Sequence, residues 1–478
     1  MSRLRILSIA AVTLALLNGC AATPTPTPTA SGSALASPLP FGPAPELSEG
    51  AIEEHLAALA QISEEHDGVR TAGTSGYTAS VDYVIAELRA LGYTVTTPVV
   101  EMTVYRELPG STIEIEGGDT FRGGPDFHAM IYSGGGDLTA PVATVGFEDS
   151  PGGEGARGCD ASDFDEFPAG AIALTAPGAE CFRRQVVQNA EAAGAVALVG
   201  ASPSWAEGQA RRPTLLFPDI RIPALAAIGP VGDALQEAAS SGADVHIRVD
   251  VELQPAFVHS VVAETPGDPE RVAMMGAHLD SVHDGPGIND DGSGVAALLE
   301  IARVVAGGVG GGRIRFGFWA AEEYGTYGSR DYVAGLSDAD RTALRAYINL
   351  DMVGSTNGVP YVYDGRFAPS GSDAIADYLM AALEEAGVGG ELRDLGGASD
   401  HAAFAEAGIA VGGIFSGATE LKTDSQATAF GGEAGQPMDR CYHLACDTVA
   451  NVDVPQVVSF GQAAAGAALA LARGELLP

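Results

Sequence analysis

The chain has 478 residues, 46% of them hydrophobic, which is enough apolar material for two folded domains rather than one. Its 62 acidic residues against 25 basic ones leave a formal net charge of −37. That balance speaks against nucleic acid, because phosphate contacts need clustered Lys and Arg; it names no substrate, since net charge governs solubility and steering.

Arg3 and Arg5 precede an apolar run from Ile6 to Leu17. The run is well short of the ~20 residues that span a bilayer, so residues 1–20 are expected to be a processing signal outside the fold. It closes on Leu17-Asn18-Gly19-Cys20, which resembles a bacterial lipobox. There the Cys sulfur takes a diacylglyceryl group and becomes the new N-terminus, anchoring the protein to the outer face of the cell membrane. Residues 21–45 are rich in Pro, Thr and Ser with almost no large apolar side chain, so they read as a tether.

The remaining sequence is expected to form one domain in two pieces, 46–136 and 251–478, with 137–250 as an insert. Residues 51–66 read as a helix with Ile52, Leu56 and Leu59 on one stripe. A second helix follows Thr74, carries Val81, Val84, Ile85, Leu88 and Leu91, and stops at Gly92. A strand is expected around Tyr93–Met102. From 137 the texture changes to many glycines and short apolar runs. Ala171–Leu174 and Ala195–Val199 read as strands, with a helix over Arg183–Ala193 between them. After 255 the runs Val272–Ala277, Arg313–Ala321, Ala346–Leu350 and Val411–Phe415 read as strands, and Gly292–Ala306 as a helix. Strands separated by helical segments imply an α/β fold with a doubly wound, mainly parallel sheet flanked by helices. The four cysteines beyond Cys20 fall into two local pairs, Cys159 with Cys181 and Cys441 with Cys446. In an oxidising exported compartment these read as disulfides. Zinc ligation by thiols is the rival, and no Cys-x-x-Cys spacing supports it.

In sheets of this kind ligands bind beyond the carboxyl ends of the strands. The first of these strands ends in His278-Leu279-Asp280, the next in Glu322-Glu323 and the third in Asp351. Gly287-Ile288-Asn289-Asp290-Asp291-Gly292-Ser293-Gly294 lies between the first strand and its helix, and Cys441-Tyr442-His443-Leu444-Ala445-Cys446 comes near the C-terminus. A lone His or Glu pair carries little weight, and His55 and His66 read as surface residues. Three successive strands ending in groups that bind a divalent metal carry more. Adjacent carboxylates at a buried strand end repel each other unless cations compensate.

Taken with Gly276-Ala277-His278-Leu279-Asp280-Ser281, Ala320-Ala321-Glu322-Glu323-Tyr324-Gly325, Ile348-Asn349-Leu350-Asp351-Met352-Val353-Gly354, Ser399-Asp400-His401 and Asp439-Arg440-Cys441-Tyr442-His443, the sequence resembles the M28 family of zinc aminopeptidases, in the Streptomyces-type secreted branch. The stretch 137–250 resembles the mainly-β protease-associated domain, through Gly158-Cys159, Pro168-Ala169-Gly170-Ala171-Ile172-Ala173-Leu174, Cys181-Phe182 and Ala192-Ala193-Gly194-Ala195. The family resemblance implies two Zn²⁺, one held by His278 and Asp351, the other by Glu323 and His443, with Asp290 bridging. Three carboxylates and a hydroxide balance two such ions in charge. It further implies Glu322 as general base, Tyr442 as donor to the oxyanion, and Asp280 as the group that orients His278. His401 reads as structural at least as readily as substrate-binding, and His283 as an ordinary loop residue. The chain departs from that branch at Ala398, where an Arg stands. The implied activity is removal of N-terminal residues from peptides with free N-termini. The alternatives are a carboxypeptidase or glutaminyl-cyclase-like enzyme on the same scaffold, and a surface binding protein without chemistry.

Overall fold

The computed structural model describes residues 44–478 except 147–157, 177–180, 203–204, 207 and 478. The expected processing signal, Cys20 and the tether up to residue 43 lie outside the described residues.

Helix Glu49–Glu65 buries Ile52, Leu56 and Leu59, the stripe that its 3.6-residue period lines up. Helix Ser75–Ala90 starts where the Thr74 hydroxyl accepts a hydrogen bond from Tyr77 N and ends at Gly92, in the left-handed region at φ +89°. The strand expected over Tyr93–Met102 is split into Val95–Thr96 and Val99–Glu107. Pro98 stands at the break and has no N–H for a ladder.

The main sheet has eight strands. At its centre Gly312–Trp319, Asp268–His278, Leu344–Leu350 and Ala410–Phe415 run parallel in that order. On one side Val261–Glu264 and Val95–Thr96 continue it antiparallel; on the other come Tyr361–Tyr363, antiparallel, and Glu391–Arg393. The central strands bury both faces and therefore read as apolar runs rather than alternations. Along Asp268–His278 the alternation still decides the face: Ala273, Met275 and Ala277 join the core under helices Gly292–Val305 and Val454–Arg473, whereas Val272 and Met274 join a second core with Trp319, Tyr347 and Phe404. In that second core Tyr347 stacks on Phe404 with centroids 3.8 Å apart. Gly276 is required there, because a Cβ would stand 2.3 Å from the Tyr347 hydroxyl. Helix Val454–Arg473 is apolar and long enough to cross a membrane by composition, but 61% of it is buried in this fold.

An antiparallel ribbon of Val99–Glu107 and Val251–His259 carries the chain out to the insert and back. The insert has its own eight-stranded sheet, with helices Arg183–Ala192 and Gly229–Ser241. Strands Ile172–Thr175 and Ala197–Ser202 and the helix between them stand within two or three residues of their expected places. The insert's sheet reaches back before residue 137, however. Thr112–Ile115 pairs with Asp244–Val249, and Phe127–Ala129 pairs with Ala224–Ile228. These strands of three and four residues carry no periodic signal of their own, and only pairing with segments about 100 residues away defines them.

Candidate active site

The parallel register brings the carboxyl ends of the central strands to one edge: His278 pairs with Trp319, and Gly276 with Asn349. His278 closes its strand, Glu322 and Glu323 follow Trp319 by a short turn, and Asp351 follows Leu350 directly. Asp290 lies in the turn before helix Gly292–Val305, and His443 in the loop closed by Cys441–Cys446. Both expected disulfides are present, Cys159–Cys181 and Cys441–Cys446. All five side chains read as ligands therefore meet in one place.

Asp290 is the centre. Its Oδ1 lies 3.0 Å from His278 Nε2 and its Oδ2 lies 3.1 Å from His443 Nε2. Asp351 Oδ1 stands 3.6 Å from His278 Nε2, and Glu323 Oε2 3.2 Å from His443 Nε2. The donor atoms of His278, Asp290 and Glu323 all lie within 4.8 Å of one another. His278 Nδ1 lies 3.0 Å from the Asp280 carbonyl oxygen, which places the neutral ring's proton on Nδ1 and its Nε2 lone pair toward the carboxylates. That arrangement is repulsive without a cation between them. Glu323 Oε1 is buried with no hydrogen-bond partner among the described residues. The two imidazoles answer the same excess of negative charge. Burial lowers the value of His443, but Glu323 and Asp290 overcome it and push it up to about 10; His278 is raised well above its ordinary value against burial by Asp351, Asp280 and Asp290. Imidazole and carboxylate donors at this spacing fit zinc.

The surrounding polar groups hold the ligands by their backbone. Asp280 meets His278 through its carbonyl at 3.0 Å and through carboxylate Oδ1 at 3.8 Å, and it does more than orient that ring. The carboxylate is fully buried and accepts from Glu322 N at 3.0 Å and Glu323 N at 3.4 Å, so it fixes the adjacent acid pair. Asp291 caps helix Gly292–Val305 and accepts from Gly294 N, His278 N and Met352 N, tying two ligand strands to one helix end. Asp447 accepts from Asn289 N and Asp290 N; Asp439 accepts from Asn289 and from Cys441 N. Arg70, fully buried, donates to the carbonyls of Leu279, Pro286 and Gly287 and so clamps both ends of the loop between His278 and Asp290. Of these, the sequence signals Asp280, two residues after His278, and Asp291, an acidic residue directly before a helix start.

Glu322 lines the same pocket as the ligands, a hollow of about 330 Å³. Burial first, then Glu323, Asp400 and Asp351, raise its carboxyl well above the usual carboxylate range against the pull of His278. Tyr442 stacks on His443 with centroids 3.8 Å apart. Burial, with Asp290 and Glu323 nearby, holds its phenol well above 10, so the hydroxyl keeps its proton and can donate. His401 lies 3.2 Å from the Gly396 carbonyl through Nε2 and meets the Tyr363 ring edge-on, which is a bracing role. His283 is more than a loop residue: its Nε2 lies 2.8 Å from the Tyr324 hydroxyl, one residue beyond Glu323. His55 is half-buried rather than exposed and pairs with the Tyr83 hydroxyl; His66, also half-buried, pairs with Ser75. Ala398 lines the pocket, as do Arg393, which is paired with Glu420, and Arg183 from the insert.

The insert is fastened to this site. Arg211 donates to the Tyr442 carbonyl at 2.9 Å. Arg212 bonds Glu107 and, at 3.2 Å, Asp284 of the loop between the first two ligands; it holds the Glu107 carboxyl down at about 2 together with His128 and against burial.

Residues 260–468 match peptidase family M28, and residues 138–235 match the PA domain. An aminopeptidase of Pseudomonas aeruginosa is 38% identical over 419 residues, 85% of this chain and 78% of that protein. A probable lipoprotein aminopeptidase of Mycobacterium tuberculosis is 36% identical over 466 residues, 94% of this chain and 90% of that protein. The solved aminopeptidase from Aneurinibacillus sp. strain AM-1 superposes with a TM-score of 0.69 at 24% identity, covering 90% of this chain and 96% of that one. A zinc aminopeptidase from Bacillus subtilis does so with 0.62 at 23% identity, covering 88% and 94%. At these identities the structural likeness is one of fold.

Proposed function

The chain is an enzyme of peptidase family M28, and on that premise we propose that it is an aminopeptidase that removes N-terminal residues from peptides with two zinc ions, held by His278 and Asp351, by Glu323 and His443, and between them by Asp290. The observation that carries the pair of ions is Asp290, whose two oxygens face different histidines, each flanked by a further carboxylate. When bound, such ions supply Lewis acidity at the scissile carbonyl and lower the pKa of water.

The protein's own groups do the rest. Glu322, which lines the same pocket beside Glu323, takes a proton as the carboxylate from the attacking water and passes it to the leaving amine. The Tyr442 hydroxyl donates to the carbonyl oxygen as negative charge develops there, a contribution of ~3 kcal/mol in comparable sites. The α-ammonium group of the substrate meets Glu322 and Asp351, and a pocket wall carrying Asp394 and Glu420 besides suits a cation. The test is a panel of aminoacyl chromogenic amides against their N-acetylated forms, with and without chelator. Free amines cleaved, blocked amines spared and activity lost to chelator is the expected result; equal rates on blocked substrates would exclude an aminopeptidase.

Export and lipid attachment through Cys20 are part of this reading. They are supported by the leader sequence, by two disulfides and by the likeness to a relative named as a probable lipoprotein. Cys20→Ser should abolish acyl labelling and release the protein from the membrane fraction.

A further inference from the structure

A second hollow, of about 500 Å³ and open to solvent, lies between helix Arg183–Ala192 and strand Ala197–Ser202 of the insert and the peptidase residues Leu395, Gly396 and Gly397. Phe182, Val187, Leu198 and Trp205 give it an apolar wall. Arg183 and Leu395 line both this cavity and the pocket that holds His278, Glu322 and Tyr442, so the two spaces adjoin at one neck. The wall is braced against the chemistry: the Arg211 guanidinium lies 5.2 Å over the Trp205 ring and donates to the Tyr442 carbonyl.

Building on the aminopeptidase reading, we propose that this cavity receives the apolar side chains of the substrate downstream of the scissile bond. Arg183, at the neck, donates to the backbone carbonyls of the chain that passes it. Direction is the first ground. An enzyme that holds the α-amine end in its metal pocket leaves the substrate only its carboxyl-side residues to place, and the adjoining space is this one. Chemistry is the second. An apolar hollow of this size binds apolar groups in preference to water. Arg183 also forms no ion pair with a carboxylate among the described residues, whereas Arg184, Arg212 and Arg393 each do. Its donors are thus left for an acceptor that arrives. The substrate class follows: peptides with bulky apolar residues in the second and third positions, over amino-acid amides with the same N-terminal residue.

The test uses the full-length, zinc-loaded enzyme and three substrates that share an N-terminal leucine: leucine amide, Leu-Gly-Gly and Leu-Val-Phe. Wild type should show kcat/KM about tenfold higher for Leu-Val-Phe than for Leu-Gly-Gly, from burial of apolar side chains. Gly200→Leu fills the cavity; a Cβ there meets Met130 and Thr175 side chains at 3.7 Å, an ordinary contact. Phe182→Ala removes a wall residue that is 55% exposed. Each variant should bring the two tripeptides to within about twofold of each other and leave leucine amide unchanged, which also reports correct folding. No preference in wild type, or an equal fall on all three substrates in both variants, would overturn the proposal. Wild-type failure on leucine amide and on both free-amine tripeptides would instead strike at the aminopeptidase reading beneath it.

Discussion

Asp280→Asn separates two ways of holding the site together. The carboxylate has no exposed surface and accepts with both oxygens, from Glu322 N at 3.0 Å and from Glu323 N at 3.4 Å. Asn keeps the shape but presents an NH₂ to one of those donors. One buried N–H then lacks an acceptor, at a cost of ~1–3 kcal/mol, and the other bond loses its charge assistance. His278 keeps its 3.0 Å contact with the Asp280 carbonyl and loses only the longer ion pair with the carboxylate at 3.8 Å. The loss therefore falls on Glu323 as ligand and on Glu322 as base. We expect zinc affinity to drop about 10–100-fold, measured by competition with a chromogenic chelator. At saturating zinc, kcat should remain depressed, because metal restores occupancy but not the position of Glu322. Zinc affinity and kcat both within twofold of wild type would refute the assignment of Asp280 to the acid pair.

Glu322→Gln should keep its metal content and lose about 10²–10⁴-fold in kcat, read by steady-state kinetics beside elemental analysis; unchanged turnover would remove Glu322 as base. Replacing Cys441 and Cys446 by Ser opens a six-residue ring and should cost ~2 kcal/mol in a urea titration. Activity should fall further than stability, because His443 sits at φ +58°, a conformation that only a constrained loop maintains. His283 is held down at about 4 by burial and by Arg212, against Asp284. The folded state thus binds this proton less readily than the unfolded chain does. The stability His283 contributes is complete above pH ~6.5 and lost as pH falls toward 4, by up to ~3 kcal/mol. His283→Gln should flatten that part of the urea midpoint-versus-pH curve, and an unaltered curve would show that the ring titrates freely.

Much of the site is legible in the sequence because its residues sit at strand ends that apolar runs reveal. His278, Glu322, Glu323 and Asp351 each follow such a run, and a doubly wound sheet sends those ends to one edge. Their supports are not legible, because their partners are backbone groups remote in sequence. Arg70 reads as a loop arginine until its three carbonyl acceptors, 209 to 217 residues away, are in place. Asp280 stands beside the histidine two residues before it, as the spacing suggests, but nothing in the spacing shows that its carboxylate also reaches across 42 residues to another strand end. The strands that the insert's sheet gains from before residue 137 are not legible for the same reason. Thr112–Ile115 and Phe127–Ala129 are too short to show a period, and their sheet exists only through pairing with Asp244–Val249 and Ala224–Ile228.

That pairing also bears on what the insert does. A passive appendage would be joined through its ribbon alone. Here Arg212 reaches the loop that carries Asp284, Arg211 holds the carbonyl of Tyr442, and Thr214 donates to the carbonyl of Tyr324. Asp284 and Tyr324 each stand close in sequence to a proposed ligand, and Tyr442 adjoins one. A displacement of the segment 211–214 therefore acts on both sides of the metal pocket at once. The Arg212 contacts with Glu107 and Asp284 are largely buried, so breaking one would leave a charge without its partner. The insert is thus better described as one wall of the active site than as a lid that swings free of it. A wall fixed in this way can hold a substrate-binding cavity at constant distance from the scissile bond, which selectivity for downstream residues requires.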